Sequence, residues 1–139
     1  MKKIILAEPA VGIDIGSTTA KLVIIKNGDI VYRRYERHFS QVRQKTLELL
    51  RDAADFLKGE SFSAAISGSA GLGLARVADI PFVQEVFATS ETVKKLAPDT
   101  STVIELGGED AKVIFFAGGT DERMNGTCAG GTGAFIDQM

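Results

Sequence analysis

The chain repeats one strand–turn–strand pattern, and this repeat restricts the fold more than any other feature. Residues 11–21 read VGIDIGSTTAK, in which an apolar strand carries one acid, Asp14, and leads into glycine, hydroxyl residues and lysine. A shift of 91 positions places residues 104–112, IELGGEDAK, on residues 13–21 without a gap. Because acid, glycine, alanine and lysine all coincide, we predict a duplicated hairpin. The alternative is two unrelated hairpins of similar composition.

The first turn, residues 16–19, has the composition of an anion-binding site. Gly16 allows the backbone to turn tightly. The hydroxyl groups of Ser17, Thr18 and Thr19, together with the N–H groups of the turn, form a cradle for an anion. Asp14 lies just before the turn, and its carboxylate is a suitable partner for Mg²⁺ or its water shell.

The short link across the first turn excludes two common nucleotide folds. Strands predicted at 12–15 and 20–26 must pair antiparallel, because a parallel crossover needs a dozen residues or more. Asn27-Gly28 then predicts a hairpin to a third strand at 29–37. In Rossmann and P-loop proteins the phosphate turn leads into a helix. Here it leads into a strand.

The remaining pattern alternates strands with helices, which predicts an α/β fold with a mixed sheet. Further strands are predicted at 63–67, 82–85, 102–106, 111–117 and up to about 124, and helices at 40–58 (capped by Ser40), 72–77, 86–96 and from 132. The glycine-rich residues 68–73 are interpreted as a structural connection. We assign residues 1–98 to a first lobe and residues 99–139 to the start of a second, truncated lobe.

Composition narrows the class of partner. The net charge is −2, which argues against a nucleic acid or a membrane surface as the main partner. No apolar run approaches the length of a membrane span. A single cysteine excludes an internal disulfide and predicts a cytoplasmic location.

Two glycine turns facing each other would hold a polyphosphate from both sides. The predicted phosphate-binding residues are Gly16, Ser17, Thr18, Thr19 and Lys21 in the first copy and Gly107, Gly108 and Lys112 in the second. Asp14 and Glu105 are predicted to share one Mg²⁺ through water, and Asp110 to orient the attacking water as a catalytic residue, with Glu109 as the alternative. Each lysine has an equally simple interpretation as a solvated strand residue.

Cys128 lies among glycines just before a predicted helix start. Nearby N–H groups favour a thiolate, and they equally favour ligation of an iron–sulfur cluster. The alternative is a small buried apolar residue. One cysteine does not complete a four-ligand cluster, but a two-fold dimer would double the count.

The motifs VGIDIGSTTAK at 11–21, IELGGEDAK at 104–112 and NGTCAGGTG at 125–133 resemble those of a known family. It comprises the ATP-dependent activators of 2-hydroxyacyl-CoA dehydratases and the ATPase subunits of benzoyl-CoA reductase. This family belongs to the superfamily of acetate and sugar kinases, heat-shock chaperone ATPases and actin. The resemblance implies a ribonuclease H-like, actin-type lobe with a mixed five-stranded sheet.

The resemblance also implies a function. Such proteins are homodimers, or pairs of similar subunits, with one [4Fe–4S] cluster between subunits, and Cys128 matches its first ligand. ATP hydrolysis drives one low-potential electron to an acyl-CoA dehydratase or reductase partner. The second cluster cysteine and the adenosine motif are absent, and Glu109 replaces a common glutamine. We therefore expect the 139 residues alone to bind nucleotide weakly, to lack a stable cluster and to be inactive.

Two other functions remain open. A small-molecule kinase of the same superfamily would have no need of Cys128 and its glycines. A nucleotide-sensing or docking module would bind nucleotide without hydrolysing it.

Overall fold

The computed structural model describes residues 8–116, 121–124, 132–137 and 139, which form an alternation of strands and helices. The strands are β1 Ala10–Ile15, β2 Thr19–Lys26, β3 Asp29–Arg37, β4 Ser63–Ser67, β5 Thr102–Leu106, β6 Ala111–Phe115 and β7 Asp121–Met124. The helices are α1 Val42–Ala54, α2 Leu72–Ala78, α3 Glu85–Leu96 and α4 Gly133–Ile136, and a 3₁₀ turn, Asp55–Leu57, follows α1. The predicted α/β class is confirmed. None of the described helices is long and apolar enough to span a bilayer.

The chain divides into two compact units between Gln84 and Glu85. The first unit contains one mixed sheet with the strand order β3-β2-β1-β4. Strand β2 pairs antiparallel with both β1 and β3, as predicted, and β4 pairs parallel with β1. Asn27 and Gly28 have φ angles of 52° and 81°, which a two-residue turn of type I′ requires at both positions.

Helices cover one face of this sheet. Alternate residues of β1 are buried, and Val11, Ile13 and Ile15 join a core with α1 and α2. Burial of each such side chain contributes about 1.5–3 kcal/mol. Because side chains alternate along a strand, Asp14 lies on the opposite, half-buried face of β1.

Two predictions for this unit are wrong. Residues 82–85 do not form a fifth strand: Phe82 makes a single parallel bridge with Ile66, and α3 begins at Glu85, which leaves no room for a longer ladder. The described residues therefore form sheets of four and three strands. Ser40 does not cap α1, which starts at Val42 and whose N-cap is Gln41.

The second unit contains the three-stranded sheet β5-β6-β7, in which both pairs are antiparallel. Glu105 lies opposite Lys112, as Asp14 lies opposite Lys21 in the first unit. Of the predicted strand at 111–117, residues 111–115 are in β6. The predicted glycine turn at 118–119 lies outside the described residues, and the lobe boundary after residue 98 stays a prediction.

Candidate functional site

Each of the two turns is closed by a backbone hydrogen bond between equivalent residues. The Gly16 N–H donates to the Thr19 carbonyl over 2.9 Å, and the Gly107 N–H donates to the Asp110 carbonyl over 2.8 Å. The second pair of residues is the first pair shifted by 91 positions. The predicted repeat is therefore confirmed as a local structure, with the acid–lysine pair of each hairpin in the same register.

Both carboxylate oxygens of Asp14 are engaged. The Lys21 ammonium donates to Oδ1 over 2.5 Å, and the Ser67 hydroxyl donates to Oδ2 over 2.8 Å. A cation could then reach Asp14 through a water molecule, or directly if Lys21 moves away. Mg²⁺ is commonly held by one or two carboxylates, waters and substrate phosphates. The donor set fits water-mediated binding, and no group of three or more His, Cys, Asp or Glu within the described residues suggests another metal site.

Asp14 belongs to a row that crosses all four strands of the first sheet. Tyr35, Lys21, Asp14 and Ser67 are register partners, one from each strand. The Lys21 ammonium lies 5.3 Å from the centre of the Tyr35 ring, so that it sits between a carboxylate and an aromatic face. Lys21 is thus already paired, and a phosphate would have to share this ammonium with Asp14.

A residue that the sequence analysis missed, His38, supports the first turn from behind. Its Nε2 lies 3.0 Å from the Gly16 carbonyl oxygen, and its backbone N–H donates to the Thr18 carbonyl over 3.1 Å. His38 is only 4 % exposed. A lone histidine carries no motif, and only the pairing of β2 with β3 brings it to the turn.

The glycine-rich connection after β4 supports the end of β1, which confirms its structural interpretation. The Ala70 N–H donates to the Ile15 carbonyl over 2.9 Å. Gly68 has a φ of +90°, and a Cβ at this position would lie 2.3 Å from the Ile15 carbonyl oxygen. Only glycine therefore fits at this approach.

In the second unit, Lys112 is buried. It is 8 % exposed, and its ammonium donates to the Glu85 carboxylate over 2.8 Å, with a Glu105 oxygen at 3.8 Å. Burial acts to lower the pKa of Lys112, but the hydrogen bond that its ammonium donates to Glu85 and the charges of Glu105, Glu85 and Asp110 outweigh it and raise this pKa. The simple interpretation as a solvated strand residue is wrong for Lys112. Glu85 carried no sequence signal because it lies outside both copies of the repeat.

The start of α4 holds the carbonyl groups of the second turn. The Thr132 hydroxyl donates to the Gly108 carbonyl over 3.1 Å. The N–H groups of Gly133 and Ala134 donate to the Gly107 and Gly108 carbonyls over 3.0 and 2.8 Å. This arrangement fixes the backbone of the turn, and the missed residue Thr132 is completely buried.

The other predicted site residues have different outcomes. Ser17 is exposed and Thr19 is buried, while the side chains of Glu109 and Asp110 are both exposed. Their exposure does not choose between Glu109 and Asp110 as the residue that orients water, so that role stays a prediction. Cys128 lies outside the described residues. Each turn belongs to its own unit, and a phosphate shared by both turns also stays a prediction.

Comparison with known proteins identifies relatives of this arrangement. The model of the BadF/BadG/BcrA/BcrD ATPase family matches residues 11–139. The (R)-2-hydroxyglutaryl-CoA dehydratase activating ATPase of Acidaminococcus fermentans is 32 % identical over 134 residues, covering 92 % of this chain and 51 % of the relative. The activator of lactoyl-CoA dehydratase of Anaerotignum propionicum is 33 % identical over 135 residues, covering 92 % of this chain and 51 % of the relative.

A solved structure supports the same relationship. The activator of the 2-hydroxyisocaproyl-CoA dehydratase from Clostridium difficile, with bound ADPNP, matches with a TM-score of 0.75 and 32 % identity. The match covers 94 % of this chain and 50 % of that structure. The chain therefore spans about half the length of the relatives it matches.

Proposed function

The chain belongs to the BadF/BadG/BcrA/BcrD ATPase family, and from this premise we propose that it is the N-terminal part of an ATP-hydrolysing activator. In this proposal, ATP hydrolysis drives a low-potential electron to an acyl-CoA dehydratase or reductase partner in the cytoplasm. The relatives from Acidaminococcus fermentans and Anaerotignum propionicum are named as activators of dehydratases, which supports this class of partner. The ADPNP bound to the solved relative supports the nucleotide.

The observation that carries the proposal is the duplicated turn, which is closed in both copies by a hydrogen bond between equivalent residues. A triphosphate needs N–H donors and cations on more than one side, because its charge is spread over many oxygens. Each copy offers a glycine turn, an acid and a lysine in the same register. We propose that residues 16–19 and residues 107–110 bind the phosphates of one ATP.

The ionised side chains of the two copies are proposed to bind Mg²⁺, to contact the phosphates and to orient the attacking water. Asp14 and Glu105 hold Mg²⁺ through water, which neutralises phosphate charge without displacing the lysine partners. When the nucleotide is bound, the ammonium groups of Lys21 and Lys112 turn some of their N–H donors from the carboxylates towards the phosphates. Asp110, an exposed residue of the second turn, orients the attacking water.

The proposed electron transfer needs a redox group, and this chain supplies only part of one. Its single cysteine, Cys128, provides one thiolate, whereas a [4Fe–4S] cluster takes four. The donor set of the 139 residues does not complete a cluster. We propose that Cys128 is one ligand of a cluster shared across a homodimer, with further ligands outside these residues. When bound, such a cluster accepts and releases one electron.

The surface of the second unit supports the proposal that its lobe is completed by further sequence. Ile104 and Leu106, which alternate on one face of β5, are 68 % and 66 % exposed. Two adjacent large apolar side chains on one strand face are normally covered in a complete lobe. The half-length match to the relatives agrees with this proposal.

Nucleotide titration of the ¹⁵N-labelled chain tests the phosphate site. Addition of Mg²⁺ and ADPNP at millimolar concentration should shift the amide signals of residues 16–19 and 107–110. The Asp14→Asn variant should weaken this response, because it removes the charge that attracts Mg²⁺, whereas the exposed Asp99→Asn control should not. No shift at either turn would contradict the proposal.

A protein extended to the length of the relatives tests the reaction. It should hydrolyse ATP without a phosphorylated acceptor, and Asp14→Asn should lower kcat by about 10²-fold or more. After anaerobic addition of iron and sulfide it should bind iron, and Cys128→Ala should abolish this binding. Phosphate transfer to a small molecule would favour the kinase instead, and binding without hydrolysis would favour the docking module.

A further inference from the structure

We propose that His38 is a positioning residue of the first turn: it fixes the Gly16–Ser17 peptide so that the Ser17 N–H is presented to a nucleotide phosphate. This inference rests on the proposed function, since it assigns a task within the same phosphate site. The residue lies outside the repeat and outside every motif of the sequence.

Every hydrogen-bonding atom of His38 has a partner. Its backbone N–H donates to the Thr18 carbonyl over 3.1 Å, and its carbonyl accepts from the Gln41 N–H over 2.7 Å. The ring Nε2 lies 3.0 Å from the Gly16 carbonyl oxygen, and the Ser40 N–H donates to the ring Nδ1 over 3.1 Å. The side chain is therefore held in one orientation against the turn.

The partners of His38 determine its tautomer. The Ser40 backbone N–H can only donate, so that Nδ1 must be an unprotonated acceptor. The Gly16 carbonyl can only accept, so that Nε2 must carry the hydrogen and donate it. The imidazole is thus neutral, with its hydrogen on Nε2.

The hydrogen bond to the Gly16 carbonyl sets the direction of the next N–H group. No peptide bond among the described residues is cis. In a planar trans peptide the carbonyl and the following N–H point in opposite directions. Because His38 holds the Gly16 carbonyl, the Ser17 N–H points away from the imidazole. A glycine turn has wide backbone freedom, and this bond reduces it before any ligand arrives.

The backbone after His38 adopts an unfavourable conformation that makes this contact possible. Phe39 and Ser40 have φ angles of 46° and 63°, which residues other than glycine seldom adopt. Phe39 is 75 % exposed, so that burial of its ring does not explain the conformation. The two residues turn the chain back so that the Ser40 N–H reaches Nδ1. The strain is thus coupled to the orientation of the ring.

Two amide variants separate the two ring contacts. In His38→Gln the side-chain nitrogen lies near the position of Nε2 and can donate to the Gly16 carbonyl. In His38→Asn the shorter amide lies near the position of Nδ1 and can accept from Ser40, but it does not reach Gly16. Both variants remove the ring, so that their comparison cancels most of the lost packing.

The ¹⁵N-labelled chain and both variants are titrated with Mg²⁺ and ADPNP. We expect His38→Asn to weaken binding by about tenfold, the equivalent of one lost hydrogen bond, and to reduce the shift of the Ser17 amide signal. His38→Gln should bind within about twofold of the original chain, because it keeps the donor. The signal of Gly108, in the second turn, should respond in all three proteins.

The outcomes distinguish this inference from the proposed function. Equal affinity of both variants and the original chain, with shifts at both turns, would overturn the role of His38 and leave the phosphate site intact. No shift at either turn of the original chain would overturn both. If His38→Asn does not fold, ring ¹⁵N spectra of the original chain decide: a hydrogen on Nδ1 overturns the inference, and a hydrogen on Nε2 supports it.

Discussion

The two hairpins share a backbone but differ in how their acid–lysine pairs are surrounded. In the first, Lys21 contacts its own acid, Asp14, at 2.5 Å on a half-buried face of the sheet. In the second, Lys112 is buried and lies 2.8 Å from Glu85 but 3.8 Å from Glu105. The difference teaches that the repeat specifies the turn and the register, whereas residues outside the repeat determine how each lysine is used.

The supports behind the turns differ in the same way. The first turn has its Gly16 carbonyl held by the His38 ring. The second turn has its Gly107 and Gly108 carbonyls held by backbone N–H groups at the start of α4. In each turn the held carbonyl groups point towards their donors, so that the N–H groups that follow them point the opposite way. One turn depends on a side chain and the other on a helix terminus.

The largest expected effect is at the glycine that supports the first turn. Gly68→Ala should lower the free energy of unfolding by about 3 kcal/mol or more, because the added Cβ would lie 2.3 Å from the Ile15 carbonyl oxygen at a φ of +90°. Urea unfolding followed by circular dichroism measures this loss. The backbone shift should also increase hydrogen exchange in β1 and leave β6 unchanged.

Gly59→Ala is the matched control. Gly59 also has a positive φ, +75°, but among the described residues no atom beyond its chain neighbours lies within 4 Å of its added Cβ. The cost should be about 1–2 kcal/mol, from backbone strain alone. Equal losses in the two variants would show that the contact with Ile15 contributes nothing.

The next effect compares the two lysines. Lys112→Met should destabilise by about 2–3 kcal/mol, because it removes the buried cation that the Glu85 carboxylate contacts at 2.8 Å. Lys21→Met should cost less than about 1 kcal/mol, because Lys21 is 30 % exposed in its side chain. Urea unfolding of both variants tests the difference, and a larger loss for Lys21→Met would reverse the comparison.

The stabilisation by Lys112 should depend on pH in a defined direction. Its pKa is raised above the ordinary value of 10.5 because its hydrogen bond with Glu85 and the nearby carboxylates outweigh its burial. A lysine whose pKa is higher in the folded than in the unfolded state stabilises the fold fully at pH values below its unfolded-state pKa. This stabilisation is lost as the pH rises through its folded-state pKa. The difference in unfolding free energy between the original chain and Lys112→Met should therefore shrink above about pH 10.5. Tyr32, whose pKa burial raises, cancels from this difference.

Much of the fold was predictable because short-range signals determine it. The Asn27-Gly28 turn, the four-residue link and the repeat were enough for the antiparallel pairing of β1, β2 and β3. Long-range contacts were not predictable. The prediction of a fifth strand was wrong because the length of the pairing between Phe82 and Ile66 depends on how much chain lies before α3.

In the candidate site, too, the residues with a local sequence pattern were predictable and their long-range partners were not. The acid, glycine and lysine positions followed from the repeat, but the partners of Asp14 and Lys112 did not. Ser67 reaches Asp14 through the parallel pairing of β4, 53 residues away in sequence. Such partners have no local pattern, because a hydroxyl or carboxylate on a strand or helix end has many ordinary uses.

A smaller effect is expected where Thr132 supports the second turn. Thr132→Val keeps the shape of the buried side chain but removes the hydroxyl that donates to the Gly108 carbonyl, which should cost about 1–2 kcal/mol. Thr132→Ser, which keeps the hydroxyl, is the control and should retain the hydrogen bond. Hydrogen exchange at Gly108 and Glu109 measures the local opening. If the valine variant protects these amides as well as the serine variant does, the hydroxyl does not hold this turn.

The smallest expected effect concerns the two donors, Ser67 and Lys21, that hold the Asp14 carboxylate. Ser67→Ala removes the hydroxyl that donates to Asp14 Oδ2 over 2.8 Å, which should lower the unfolding free energy by about 0.5–1.5 kcal/mol. Because Lys21 holds the other oxygen, we expect the loss to grow in a Lys21→Met background, where Ser67 is the remaining side-chain donor to this carboxylate among the described residues. A double-mutant cycle in urea measures this coupling. Additive losses would show that the two donors act independently and would contradict the expected coupling through the Asp14 carboxylate.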